Sequence, residues 1–141
     1  EDKIEQFVLV WADESGRDED IVLTQHDIRQ LQLAKGAIVS GVMMLQNVMD
    51  VSDEKLKELM LCGGFGNYIS TESAVKIKLL PNLELDTITY LGNAAHLGAQ
   101  MALLSELERD RAQKIAREVQ HVALATHPDF QDIFVEALKF D

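Results

Sequence analysis

Hydrophobic positions fall into two periods along the chain, and the changes of period mark the elements. Residues 7–11 (FVLVW) and 21–23 (IVL) are short apolar runs separated by the polar stretch ADESGRDED, a pattern that predicts two strands joined by a long solvated turn. At Thr24 the period changes. Thr24 with Asp27 predicts a capped helix start, and Ile28, Leu31, Ile38, Val42 and Leu45 recur at spacings of three, four or seven, so a long helix is expected from about Gln25 to Met49. Gly36 and Gly41 interrupt it; each costs about 1 kcal/mol against alanine in an exposed helix, which implies close approach of another backbone or a ligand.

The pattern continues with Ser52 capping a short helical turn, a buried strand at residues 59–62 (LMLC) and a helix from Ser70 or Thr71 to the region of Leu80 and Pro81. A further strand, residues 88–91 (ITYL), runs into Gly92, and Asn93 caps the small-residue helix AAHLGAQMALL. Ser105 and Glu108 read as a capping box opening a charged helix to about Val119, with Leu104, Leu107, Ile115 and Val119 as its buried stripe. Glu108 with Arg111 and Asp110 with Lys114 are expected solvated pairs. Residues 122–125 (VALA) predict a last strand, and Pro128 starts an amphipathic helix running through Phe140. Strands alternating with helices in this order argue for an α/β architecture with a mainly parallel part.

Composition narrows the partners. The 141 residues carry 13 basic and 24 acidic side chains, a formal net charge of −11, which opposes binding to nucleic-acid phosphates and to anionic lipid surfaces. No apolar run approaches the roughly 18 residues that span a bilayer, and no basic-then-apolar leader is present. One cysteine, Cys62, excludes an internal disulfide and favours a reducing, cytoplasmic setting; on a buried strand it is expected to act as a small hydrophobe. The chain opens on Glu1-Asp2-Lys3 and enters an apolar pattern within a few residues, so a piece of a longer protein is expected.

Two strand ends share a grammar, MLCGGFGN and TYLGNAAHLGA: an apolar strand meets glycine at its carboxyl end, and a helix follows. Ligands of open α/β sheets lie beyond those carboxyl ends, where side-chain-free turns let them touch main chain. Gly64-Phe65-Gly66 begins like a dinucleotide fingerprint, but Ile69 stands at the third glycine position, and no Gly-Lys-Ser or Gly-Lys-Thr exists for a P-loop. By itself GGFGN is a weak signal, more often a tight turn with positive φ than a binding loop. His26, His96, His121 and His127 lack metal-ligand spacing, Asp18 and Asp20 lie in a loop without a pocket signal, and Met43 with Met44 read as core or interface.

Taken together, LTQHDIRQLQLAKGAI, LCGGFGNYI, LLP, LGNAAHLGA and HPDFQDIFVEALKF, in this order over nearly the whole chain, resemble the C-terminal region of the ATP-dependent reductive activators of corrinoid proteins. Those proteins belong to the actin and sugar-kinase ATPase superfamily. The resemblance implies that residues 1–141 are a C-terminal subdomain of an actin-like (ribonuclease H-like) fold, a mixed sheet with flanking helices. Gly63 and Gly64 match the adenosine motif; Gly92, Ala94 and Ala95 match the second connecting motif at the interdomain hinge, with Asn93 inserted. Gln32 and Lys35 lie on the long helix that, by resemblance, faces the nucleotide. Phe65 flanks adenine or plugs the core; Asn67 bonds a ribose or caps its own turn; Gly66 completes the bend. The implied ligands are ATP or ADP with magnesium, the implied partners a corrinoid protein and the rest of the parent chain, and the implied parent activity is reduction of cob(II)alamin to cob(I)alamin. The phosphate loops and the cysteines of an iron-sulfur cluster would belong to the upstream part, so no catalytic or metal-binding residue is assigned here, and the chain alone is not expected to be catalytic. The alternative is an acidic interaction module that docks the corrinoid protein or forms a homodimer without binding nucleotide.

Overall fold

A computed structural model describes residues 6–64 and 68–140. The chain runs β1 (Gln6–Val10), α1 (Ala12–Ser15), β2 (Ile21–Thr24), α2 (Gln25–Met49), β3 (Leu59–Cys62), α3 (Thr71–Lys76), β4 (Ile88–Gly92), α4 (Ala94–Leu104), α5 (Glu106–Glu118) and α6 (Phe130–Ala137), with 3-10 turns at Asp53–Lys55, Leu85–Thr87 and Leu124–Thr126. The strands form two separate pairs, β1 antiparallel to β2 and β3 parallel to β4. The acidic turn between β1 and β2 is structured: α1 ends at Gly16 with φ 68°, and Asp20 accepts from the Ala12 N–H at 2.7 Å.

The long helix has the bounds its pattern predicts, and its start is fixed by local chemistry. Thr24 Oγ1 accepts from the Asp27 N–H at 3.2 Å, while the Asp27 carboxylate accepts from the Thr24 N–H at 2.9 Å and its hydroxyl at 2.6 Å. These bonds, the Thr24 hydroxyl first, hold the Asp27 carboxyl below the usual carboxylate range. The face of α2 that becomes buried is not the apolar one. Leu31, Ile38 and Leu45 remain exposed, and Lys35, Gly36, Ser40 and Met44 are covered. Gly36 is the reason: α6 packs along α2, and a Cβ at Gly36 would stand 2.7 Å from Leu138 Cδ2 and 3.4 Å from Phe134 Cε2. The glycine that weakens the helix locally is what admits its neighbour.

Elsewhere caps hold and burial does not. Ser70, Asn93 and Ser105 accept from the N–H groups of Ser73, His96 and Glu108, and so start α3, α4 and α5. Ser52 precedes its turn without a side-chain cap bond, and α3 stops at Lys76, where Lys78 turns the chain at φ 56°. α4 and α5 pack on each other, and Arg109 donates back to the Ala102 and Leu103 carbonyls at 3.0 and 3.4 Å. The stripe expected to be buried lies open: Leu104 is 85% and Leu107 74% exposed, and Ile115 and Val119 are also exposed. Lys114 reaches Glu118 at 4.0 Å in place of Asp110, and residues 122–125 form no strand: among the described residues none pairs with them in a hydrogen-bond ladder. The chain exposes 11287 Å², whereas a self-contained globule of its 15.8 kDa exposes about 7,300 Å². Large apolar side chains, Phe7, Leu103 and Leu104 among them, contribute to that surface.

Two outcomes test this account. Gly36→Val, which must displace Leu138, is expected to lower stability by about 1–3 kcal/mol, whereas Gly41→Ala, whose Cβ would meet Leu124 Cδ1 at a comfortable 3.7 Å, is expected to raise it by up to about 1 kcal/mol, both read by urea unfolding. Because Asp27's carboxyl titrates low, its contribution to α2 is complete above the ordinary aspartate pKa and is lost as pH falls through the depressed folded value. Thr24→Ala should move the Asp27 midpoint upward in an NMR titration and make the first turn of α2 fray at higher pH.

Candidate functional site: the paired glycine turns

The β3–β4 register brings the two glycine motifs to one place. Leu59 lies opposite Ile88, and after an irregularity at Leu61 the pairing resumes with Cys62 opposite Gly92. Both strands run the same way, so both carboxyl ends meet at one edge, where the Gly63 N–H donates to the Gly92 carbonyl at 2.7 Å. Beyond that bond the chains diverge, one towards α3 and the other straight into α4. Tyr90 OH donates to the Ile69 carbonyl at 2.7 Å and ties the chain after the first turn back to β4.

Each glycine is there for an identifiable reason, except one. Gly63 has φ 85° and Gly92 φ 60°, left-handed values that disfavour any side chain. Gly64 is outside that region, and a Cβ built on Gly63, Gly64 or Gly92 meets nothing within 4 Å. Among the described residues, no contact requires glycine at position 64, and nothing lies over the bare backbone.

The other predicted site residues divide. Asn93 stands beside Gly92, with its Oδ1 engaged by the His96 N–H at 3.0 Å, a capping role. Phe65, Gly66 and Asn67 lie outside the described residues. Gln32 and Lys35 turn to the C-terminal segment: Gln32 Nε2 donates to the Leu138 carbonyl at 3.3 Å, and Lys35 Nζ donates to the Lys139 carbonyl and sits 5.0 Å from the centre of the Phe140 ring. The last helix, expected from Pro128 through Phe140, spans Phe130–Ala137, and the contact of residues 138–140 with α2 was not expected, although a lysine beside a helix glycine, Lys35-Gly36, was the available signal. A separate groove of about 510 Å³ runs between Val39 and Val42 of α2 and the segment after α3, including Leu79, Leu80 and Pro81; none of the predicted residues lines it. Cys62, expected to be buried, is exposed. Among the described residues no three His, Cys, Asp or Glu side chains group to hold a metal ion, and no helix is long and apolar enough to cross a membrane.

Over residues 1–141 the chain matches the family described as the C-terminal domain of RACo, the ASKHA domain. The chain belongs to this family. As a RACo-type ASKHA domain it has an actin-like α/β fold. It is 38% identical over 134 residues to the corrinoid activation enzyme RamQ of Eubacterium limosum, a match covering 95% of this chain and 23% of that protein. The solved structure of a reductive activator for corrinoid, iron-sulfur protein superposes with a TM-score of 0.78 at 38% identity, covering 94% of this chain and 21% of that one. The chain thus spans less than a quarter of the length of these relatives. The two glycines of the first turn differ in conformation, and the difference predicts different tolerances. Gly63→Ala should destabilise by about 1–2 kcal/mol through its positive φ, while Gly64→Ala should stay within about 0.5 kcal/mol, compared by urea unfolding.

Proposed function

We propose that this chain is a C-terminal subdomain supplying the adenosine-contacting side of the nucleotide cleft in a corrinoid-protein activator. The observation that carries the proposal is the open edge at the carboxyl ends of β3 and β4, where Gly63, Gly64 and Gly92 leave unfilled space and Gly64 serves no conformational need. A purine and its sugar fit such a cradle, since main-chain groups can be reached where no Cβ projects. The relatives named for corrinoid activation support the wider role, action on a corrinoid protein; the finer part of the proposal is that ATP hydrolysis is coupled there to reduction of cob(II)alamin to cob(I)alamin. In that reading phosphate loops and magnesium ligands come from the rest of the longer polypeptide, because phosphoryl transfer needs charge stabilisation that this edge does not offer. An iron-sulfur cluster does not fit the residues of this chain, with its single cysteine.

Of the proposed site, the glycine edge and Asn93 form one contiguous rim, while Gln32 and Lys35 contribute only if they leave their C-terminal partners. A second reading, a surface that docks the corrinoid protein or a second copy without nucleotide, draws on the exposed leucines of α4 and α5.

Calorimetric titration of the intact activator with ADP distinguishes the two. Gly64→Val is the informative variant, because its side chain enters open space without backbone strain. The cleft assignment expects a folded variant with ADP affinity reduced about tenfold or more, some 1.4 kcal/mol. Unchanged affinity in the folded variant would remove Gly64 from the cleft, and capture of the corrinoid protein by the unmodified domain without nucleotide would favour the docking reading.

A further inference from the structure

We propose that residues 138–140 form a latch that holds the Lys35 ammonium out of solvent, so that the availability of this lysine is set by the position of the C-terminal segment. Lysine is almost never fully buried unless its charged head is partnered, yet Lys35 is 2% exposed. Three consecutive residues contribute to its cover. The Leu138 carbonyl accepts from Gln32, one turn earlier on α2; the Lys139 carbonyl accepts from Lys35 Nζ; and the Phe140 ring faces the same ammonium at 5.0 Å. Gly36 makes the geometry accessible, since only a residue without Cβ lets Leu138 come within 2.7 Å of that position.

The arrangement has the electrostatic sense of a helix terminus. Leu138 is the C-cap of α6, where carbonyls lack partners within the helix and a cation is favoured. The Lys139 side chain turns the other way and pairs with Glu136 at 2.6 Å, so its backbone, and not its charge, meets α2. A segment this short, gripped at three points, opens at far lower free energy than the helix pair behind it. The latch is therefore a local, reversible element. While it is closed, Lys35 cannot reach an anion; when it opens, one positive charge appears on α2 in a chain whose formal net charge is −11.

The test needs no nucleotide and so stands apart from the cleft assignment. A pulse of acetic anhydride on the intact protein, read site by site by mass spectrometry, compares Lys35 with the exposed Lys57. The latch expects Lys35 to acetylate about tenfold or more slowly than Lys57, and Phe140→Ala to raise the Lys35 rate at least about fivefold with Lys57 unchanged. Should Phe140→Ala not fold, as judged by circular dichroism, Phe140→Leu decides: it keeps apolar cover without the ring face and should raise the Lys35 rate about threefold. Equal labelling of Lys35 and Lys57 in the unaltered protein, or full protection of Lys35 in a folded Phe140 variant, would overturn the proposal.

Discussion

The missing side chain at position 36 organises the contact between the long helix and the last one. Helix α2 and helix α6 lie far apart in the sequence, and their packing is the principal tertiary contact between distant elements. With a Cβ at Gly36, Leu138 could not occupy its place, and the carbonyls of residues 138 and 139 could not reach Gln32 and Lys35. Conformational freedom is lost in the isolated helix and recovered as interhelical contact, the usual exchange when small residues let helices approach. Met44 and Ser40 of α2 and Ala137 of α6 are buried.

The glycine edge depends on a different constraint. Parallel strands are normally covered on both faces and flanked by further strands, but β3 and β4 pair only with each other among the described residues, and Met60, Tyr90 and Leu91 are exposed. A two-stranded parallel ribbon is marginal alone. Its two carboxyl ends lie level, with Gly63 bonded to Gly92. The leucines of α4 and α5 are likewise exposed, and the chain spans under a quarter of the length of the relatives it matches.

What the sequence by itself determined is whatever a few adjacent residues decide. Thr24 and Asp27 start α2, Ser70, Asn93 and Ser105 start three more helices, and Gly63 and Gly92 turn the chain at strand ends, because caps and positive φ values involve partners only two or three positions away. The ordered set of motifs carried the family and the actin-like α/β fold for the same reason: they are strings of neighbouring residues. Tertiary structure alone decided which surface each element buries. Periodicity marked Leu104, Leu107, Ile115 and Val119 as one stripe but held no information about what lies over it; the strand pattern of residues 122–125 found no ladder; and Cys62, on a strand that reads as core, lies exposed. Lys35 is the converse case, a charge expected near a ligand and instead covered by residues more than a hundred positions away. Hydrogen bonds and packing between distant segments depend on how the chain closes in space, and that closure is a property of the whole fold that no local pattern encodes.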